Sequence, residues 1–269
     1  MQKAPELLSL VHSIIEEKKG YQFILTGSSL RKLKRTGSNL LAGRALLCKM
    51  FPFIASELGV DFNIETALHT GRIPLILESA NPQTTLVTYI SLYLKEEVQE
   101  EGLVRNLEDL LLGFSIEVFS KRAKRALSAH PKFYLFDAGV FRSLRPKGPL
   151  DNNAEINGPA LEGLIAQHLY AWTQSQIEVH TLSFFRTKSG LEVDFIIYGP
   201  KGFWAIEVKF SSKIHPQDTH SLQSFKEDYP DCTPLLIYMG DKKLISKNIL
   251  CIPAEEFLKN LCIDKPLPY

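Results

Sequence analysis

The feature that most constrains the fold is the stretch 190–210, which reads GLEVDFIIYGPKGFWAIEVKF. Two runs in which apolar and charged residues alternate flank residues 199–202, GPKG. A period of two is typical of half-buried strands, and a Gly/Pro turn between two such strands predicts a β-hairpin. The alternation places Val193, Phe195 and Ile197 on one face of the first strand.

The turn also predicts a register. If Tyr198 and Phe203 close the loop, Asp194 lies directly opposite Glu207. Like charges in directly opposed positions destabilise a sheet, so two such carboxylates share a proton or a cation. One interpretation is a site for Mg²⁺ or Mn²⁺ between the two carboxylates, with Lys209 beside it. The other is the solvated outer face of a hairpin that carries mixed charges.

Composition sets the broad class. The chain has 269 residues, 45% hydrophobic and 23% charged, with a net charge of +1. This length predicts about two domains, and the balanced charge means that any surface for a polyanion must be local. No apolar run is long enough to span a membrane, and no signal peptide is visible. Four scattered cysteines without metal-ligand spacing predict reduced, buried thiols and a cytoplasmic protein: Cys48, Cys232, Cys251 and Cys262.

The residue pattern of the first part of the chain predicts a helix followed by two strands. Residues 5–19 have apolar residues at helical spacing. Residues 21–25, YQFIL, form a short apolar run of the kind found in buried parallel strands, and the run ends in small hydroxyl residues. Residues 46–53 predict a second strand.

Residues 5–53, PELLSLVHSIIEEKKGYQFILTGSSLRKLKRTGSNLLAGRALLCKMFPF, resemble a family of prokaryotic AAA-type ATP-binding proteins. Members carry a C-terminal region of unknown function. The resemblance implies that Thr26 and Ser28 belong to a sensor strand that reads the terminal phosphate of ATP. It also implies that Arg44 corresponds to an arginine finger.

The sequence departs from this family in two ways. No GxxxxGK[ST] motif occurs in the 269 residues, and the family has its Walker A and Walker B motifs upstream of this segment. We therefore expect a truncated relative that does not hydrolyse ATP alone, with a separate chain carrying the missing P-loop half. In addition, LVRNL at 103–107 runs almost directly into LLGF at 111–114, so the winged-helix segment of the family is missing.

The middle of the chain combines helical periodicity with one compact group of positive charge. Residues 62–70 and 84–101 have helical patterns. The basic cluster consists of Lys121, Arg122, Lys124 and Arg125. Such a cluster either contacts the phosphates of DNA or is plain solvated surface.

A Pro/Gly-rich stretch at 146–153, PKGPLDNN, is the clearest domain boundary in the chain. We predict a partial AAA-type segment at 1–55 and a helical middle region at 56–148. A third domain is predicted at 149–269.

The pattern of this third domain is helix, three strands, helix, strand. Its first helix is expected to open at Asn157-Gly158-Pro159. Glu162 lies at the margin of the apolar face of that helix, and His168 lies on the face, as a core histidine rather than a ligand. The element order resembles the core of restriction-endonuclease-like PD-(D/E)XK domains. The predicted fold class is therefore α/β: a partial AAA-type segment and a helical middle, followed by a restriction-endonuclease-like domain.

The nuclease resemblance extends to individual residues. It implies that Asp194 and Glu207 hold Mg²⁺ or Mn²⁺, that Lys209 orients or activates water, and that Glu162 is the acid of the first helix. Three hypotheses remain open: a metal-dependent nuclease, a non-enzymatic nucleic-acid-binding module, and a decayed remnant of a larger ATPase.

Overall fold

Eight strands form one mixed sheet in a computed structural model of the protein. The structure describes residues 6–26, 46, 48–94, 107–108, 110–128, 130–145, 148, 153–263 and 265–268. The strand order in the sheet is β2-β1-β3-β4-β5-β6-β8-β7. The strands are β1 (Gly113–Val118), β2 (Lys132–Leu135), β3 (Thr181–Arg186), β4 (Glu192–Gly199), β5 (Gly202–Lys209), β6 (Thr233–Tyr238), β7 (Leu244–Ser246) and β8 (Ile249–Pro253).

Helices cover both faces of this sheet. They are α1 (Glu6–Glu16), α2 (Ala55–Leu58), α3 (Ile64–Thr70), α4 (Pro74–Leu77), α5 (Pro82–Tyr89), α6 (Ala138–Leu144), α7 (Asn153–Ser175), α8 (His220–Asp228) and α9 (Ala254–Asn260). Short 3₁₀ turns lie at Gly59–Asp61 and Pro216–Thr219, and a π-helical turn at Ile90–Leu94 extends α5. Apolar residues of α2, α3, α7 and α9 share a core with one face of the sheet, while those of α8 pack on the other. Within the described ranges no helix is long and apolar enough to cross a membrane.

The hairpin forms as the sequence predicts. β4 and β5 are antiparallel, and Tyr198 pairs with Phe203. β3 pairs with β4 in antiparallel orientation, and β6 lies parallel to β5. The chain therefore runs α7, β3, β4, β5, α8, β6, which confirms the predicted order of elements.

The predicted common face of β4 is wrong at one residue. Ser183 of β3 pairs with Ile196, but Phe185 pairs with Val193, so β4 carries an extra residue between the two pairs. Val193 consequently packs with Ile196 in the core beneath α8, whereas Phe195 lies in the core beneath α7. Such a bulge breaks the alternation of strand faces and re-aims the side chain at the extra position, which is where Asp194 lies.

Helix α7 begins at Asn153 rather than at Asn157. A proline inside a helix removes the hydrogen bond to the carbonyl four residues earlier. For Pro159 that carbonyl belongs to Glu155, and the guanidinium of Arg145 donates to it at 3.0 Å. The helix continues through the proline, and this external donor satisfies the carbonyl that the proline leaves unpaired.

The N-terminal strand predictions are wrong where the structure describes the chain. Helix α1 is confirmed, but residues 20–26, 46 and 48–53 contain no strand. Ile24 and Leu46 are more than nine-tenths exposed, at 91% and 95%. A strand needs a neighbour for its backbone groups, and no described strand lies alongside either segment. Cys48 is also exposed, whereas Cys232 and Cys251 are buried as predicted.

The middle region is helical only in part. Helices α3 and α5 confirm the predicted patterns as far as residue 94, yet residues 113–135 supply β1 and β2. β1 lies parallel to β3, and β2 pairs with β1 in antiparallel orientation. The sheet therefore joins the middle region to the domain predicted from 149 onward. The alternation of Phe114, Ser115 and Ile116 is the signal that would have identified β1.

A buried carboxylate fixes α6 to the preceding helical layer. Asp137 is fully buried and caps α6 by accepting from the backbone N–H groups of Gly139 at 2.9 Å and Val140 at 3.2 Å. Its other oxygen accepts from the backbone N–H of Arg72 at 2.8 Å. A Cβ on Gly139 would lie 2.4 Å from the carbonyl carbon of Thr70, so glycine permits this close approach.

We expect Asp137→Ala to lower the free energy of unfolding by about 2–3 kcal/mol, because it removes a helix cap and leaves a buried N–H without a partner. Urea denaturation measures the loss. Asn63→Ala is the matched control, since Asn63 caps α3 through the single backbone N–H of Thr66 at an exposed position. The control should lose about 1 kcal/mol, and equal losses in both variants would contradict the buried role of Asp137.

Candidate functional site

Asp194 lies where β4 and β5 stop pairing. The ladder between these strands extends from Gly199 opposite Gly202 to Phe195 opposite Ile206, and Asp194 and Glu207 occupy the next positions. The carboxylate of Asp194 accepts from the backbone N–H of Val208 at 2.9 Å. A side chain thus takes the place of a strand-to-strand bond, and both acids lie at the point where the strands separate.

Glu207 is the less completely satisfied of the two acids. The residue is 6% exposed, and its Oε1 accepts from the ammonium of Lys209 at 2.8 Å. Its Oε2 is buried and lacks a hydrogen-bond partner of ordinary geometry. A buried carboxylate oxygen without a donor is costly, so this position favours a cation.

Burial dominates the electrostatics of the two acids. It raises the pKa of Asp194 well above the ordinary value, and the negative charges of Glu207 and Glu162 raise it further. Burial also raises the pKa of Glu207, against the opposing effects of the Lys209 ammonium and the Ser221 hydroxyl. The neighbouring positive charges therefore do not offset the effect of burial, and both carboxyl groups have pKa values above their ordinary ones.

The two carboxylates fit a hard divalent cation. Mg²⁺ in proteins is commonly held by one or two carboxylates and keeps several waters. Asp194 and Glu207 supply two carboxylates, and Glu207 Oε2 has no donor in ordinary hydrogen-bond geometry. In the part of the chain that the structure describes, no group of three or more His, Cys, Asp or Glu side chains is placed to hold one ion. A metal here would therefore depend on these two acids and on water.

Lys132 is the site residue that the sequence did not reveal. Its ammonium lies 2.6 Å from Glu192 Oε1, 2.9 Å from Glu162 Oε1 and 3.6 Å from Asp194 Oδ1. Burial lowers the pKa of Lys132, but the surrounding carboxylates, Glu162 first among them, raise it to a net value above the ordinary one. Lys132 is therefore a permanent cation among three acids. Only the position of β2 beside β1 brings it there, and no motif in the sequence marks it.

Two further side chains orient the acids around Lys132. The hydroxyl of Tyr134 donates to Glu162 Oε1 at 2.6 Å. The guanidinium of Arg186 donates to both oxygens of Glu192, at 2.7 and 2.8 Å. Burial together with the charge and hydrogen bond of Glu162 raises the pKa of the Tyr134 hydroxyl, so it remains a donor.

The structure places the predicted acids in one region, but no single described side chain contacts all of them. Lys132 joins Glu162 to Asp194, and Lys209 contacts Glu207. Glu162 therefore has an ammonium and a hydroxyl as partners. The roles assigned to these residues by resemblance stay predictions.

The basic cluster lies apart from the acids. The ammonium of Lys121 lies over the ring of Tyr198, 4.0 Å from its centroid, and Arg125 pairs with Asp228 at 2.5 Å. Tyr198 is four residues along β4 from Asp194, roughly 13 Å at the rise of a strand. Contact of this cluster with nucleic acid stays a prediction.

The residues implied by the AAA resemblance lie mostly outside the described part of the chain. Thr26 lies in a segment without helix or strand. Ser28 and Arg44 fall outside the described residues, so their roles also stay predictions.

Without divalent ions, we expect Asp194 and Glu207 to contribute a fall in the free energy of unfolding as the pH rises above the ordinary carboxyl pKa of about 4, against the opposite contribution of the buried His168. The raised pKa values of Asp194 and Glu207 mean that the folded protein keeps protons that the unfolded chain has already released. Stability decreases with pH wherever the folded state binds more protons. Urea titrations between about pH 5 and pH 8 measure the fall, which ends above the raised pKa values.

Asp194→Asn is the matched variant, because it removes one of the two titrations and keeps an oxygen for the N–H of Val208. Its stability should depend less steeply on pH than that of the wild type. Burial raises the pKa of Glu192, but Arg186 and Lys132 lower it to a net value below the ordinary one. Glu192 therefore contributes the same stability throughout this pH window and adds nothing to the slope. Identical slopes in both proteins would contradict the assignment.

Two family models match the chain. Residues 1–59 match a family described as AAA domain, and residues 157–257 match a family described as Domain of unknown function (DUF4143). A search of curated proteins gives no match. The order of the two regions confirms the coarse resemblance seen in the sequence. The N-terminal match is thus to an AAA domain, and the region that matches the family of unknown function contains Glu162, Asp194, Glu207 and Lys209.

Proposed function

We propose that the acids around Asp194 and Glu207 form the site of a divalent-metal-dependent enzyme that cleaves phosphodiester bonds in nucleic acid. The observation that carries the proposal is the buried Glu207 Oε2, which has no hydrogen-bond partner of ordinary geometry and belongs to a carboxylate whose charge raises the pKa of the buried Asp194. Two such acids at a point of strand separation need a cation, and we propose that a phosphate binds to the cation held there.

The order of elements supports this reaction class. The sequence α7, β3, β4, β5, α8, β6 is similar to the core of PD-(D/E)XK nucleases, which carry an acid on the second strand and Glu-X-Lys on the third. Asp194 lies on β4, and Glu207 and Lys209 lie on β5. Because a fold alone does not establish an activity, the proposal depends on these side chains.

Asp194 and Glu207 would hold Mg²⁺ or Mn²⁺. When bound, such an ion supplies Lewis-acid polarisation of the phosphate and lowers the pKa of its water. Burial lowers the pKa of Lys209, but Glu207 and Asp194 raise it to a net value above the ordinary one. Lys209 therefore keeps its proton at neutral pH. Its role is to orient the phosphate or the attacking water through its positive charge, not to remove a proton.

The other parts of the chain support proposals about its nucleic acid, its location and its relation to ATP. We propose DNA as the nucleic acid, held in part by the basic cluster, and the cytoplasm as the location. The 269 residues contain no P-loop, so we propose that ATP hydrolysis needs a P-loop from another chain, with Thr26, Ser28 and Arg44 as the nucleotide-facing residues.

A second candidate function is binding of nucleic acid without cleavage. Lys132 favours it, because this ammonium already pairs with Glu162 and Glu192, and the exposed side chains of Lys121, Arg122 and Lys124 offer charge for phosphates. Binding through phosphates weakens steeply with salt.

We expect the purified chain to nick supercoiled plasmid in the presence of Mg²⁺ or Mn²⁺ and not in EDTA. Asp194→Ala removes one of the two metal-binding carboxylates and should lower the rate roughly 10²–10³-fold, as the loss of one charge-stabilising group commonly does. Glu256→Gln is the matched control, because Glu256 is a partly exposed acid of α9 paired with Lys243. Its nicking rate should equal that of the wild type.

Equal nicking by the wild type and Asp194→Ala would overturn the proposal, since the activity would then arise elsewhere. Salt-dependent DNA binding by both proteins without nicking would favour the second candidate.

We also expect the chain alone to show no saturable ATP turnover, because backbone groups that cradle the β- and γ-phosphates are missing from its sequence. A phosphate-release assay with increasing ATP measures this. Saturable turnover that Arg44→Ala removes would contradict the expectation.

A further inference from the structure

A cleft between β2, α6 and α7 borders the acid site. Its volume is about 440 Å³, which lies within the range of roughly 300–1,000 Å³ found for small-ligand sites. We infer that this β2–α7 cleft receives an unpaired nucleobase of the nucleic acid, an inference that rests on the proposed function. The substrate is then a single strand, or a duplex that contains an unpaired nucleotide.

The cleft and the acid site share part of their walls. Lys132, Tyr134 and Glu162 line the cleft, and the same side chains hold one another within the acid site. The ammonium of Lys132 lies 2.9 Å from Glu162 Oε1 and 3.6 Å from Asp194 Oδ1. A base is separated from its phosphate by a single sugar. A phosphodiester bound at the acids would therefore bring its own nucleoside next to the cleft.

The rest of the cleft wall is mainly apolar. Phe133 of β2 and Phe141 of α6 are half-buried aromatic side chains in this wall, and Pro159 and Ala160 of α7 add apolar surface. Every base has a π-face, so aromatic side chains bind bases with little regard to sequence. Such a wall fits a base better than it fits the charged backbone of a nucleic acid.

Gly163 borders the cleft from the middle of α7, where glycine destabilises a helix relative to alanine. A Cβ on Gly163 would have no heavy atom within 4 Å outside the adjoining backbone of its own helix. Close packing therefore does not require this glycine, in contrast to Gly139, whose Cβ would collide with the backbone of Thr70. The missing side chain instead leaves the cleft wider.

Pairing of the bases determines which nucleic acids can use the cleft. A base of a duplex is stacked and paired, and it enters an enzyme pocket only after it leaves the stack. A cleft that receives a base therefore selects single strands and duplexes that open locally. Negative supercoiling favours such opening, so supercoiled plasmid remains a suitable substrate for the nicking assay.

Binding of fluorescein-labelled strands in EDTA, followed by fluorescence anisotropy at fixed salt, tests the inference without cleavage. Oligothymidylate is compared with a strand of equal length made of abasic residues, so that both carry the same phosphate charge. The wild type should bind oligothymidylate roughly 10-fold more tightly, as expected when aromatic side chains contact a base. A duplex with bulged thymidines should likewise bind more tightly than the fully paired duplex.

Gly163→Phe fills the cleft with an aromatic ring and changes no charge. This variant should bind oligothymidylate no more tightly than the abasic strand, while its affinity for the abasic strand stays at the wild-type value. Gly158→Phe is the matched control, because Gly158 lies in the same helix with equally open space and is not among the described residues that line the cleft. It should keep the full preference for oligothymidylate.

Gly163→Leu guards against misfolding of the larger variant, because leucine is among the best helix formers. It fills less of the cleft and should lose part of the preference for oligothymidylate. Equal affinity of the wild type for the two strands would overturn the inference. A full preference that survives in both Gly163 variants would do the same.

The same measurements separate the cleft from the proposed nuclease. Base-dependent binding that Gly163→Phe removes, in a protein that does not nick plasmid with Mg²⁺ or Mn²⁺, would support the cleft and contradict the nuclease. Nicking by a wild type that binds both strands equally would contradict the cleft and leave the nuclease in place. Absence of both binding and nicking would overturn both.

Discussion

The need to hold several carboxylates inside one sheet determines how the parts of this chain are arranged. Asp194 and Glu207 lie at the separation of β4 from β5, where water is largely excluded. Each buried charge needs a donor or a cation, and several of the donors come from outside the hairpin. Lys132 and Tyr134 come from β2 and Arg186 comes from β3, whereas Lys209 and the backbone N–H of Val208 belong to the hairpin itself. The extension of the sheet by β1 and β2 therefore completes the electrostatics of the site.

The bulge in β4 has a consequence for chemistry as well as for packing. A regular strand would place Val193 and Phe195 in the same core, and Asp194 would then face its neighbours at the ordinary spacing of the sheet. The extra residue moves Val193 to the core beneath α8 and leaves the Asp194 carboxylate to accept from Val208. An acid that replaces a ladder bond is held rigidly by the backbone of β5.

Local patterns in the sequence predicted those structural features that depend on residues close together in the chain. The hairpin register follows from a tight turn with alternating flanks, and the burial of His168 follows from its place on an apolar helical face. The structure confirms His168 as a core residue that accepts from the backbone N–H of Ala55 at 3.0 Å, with its pKa lowered well below the ordinary value by burial. Features that depend on distant partners were not predictable. Lys132 meets its acids only across the sheet, and in α7 the carbonyl that Pro159 leaves unpaired accepts from Arg145, which precedes the helix.

The boundary of the AAA match is not a boundary in the packing of the molecule. Ala55 falls within the matched residues 1–59, yet it is fully buried against α7. The guanidinium of Arg72 reinforces this junction, because it donates to the carbonyl oxygen of Phe53 and to Gln167 of α7 at 2.7 Å. The same helix carries Glu162, less than two turns before His168. A cut between the two matched regions would leave buried donors and acceptors of α7 without partners. The acid that Lys132 holds therefore belongs to the same packed unit as the end of the AAA-matched region.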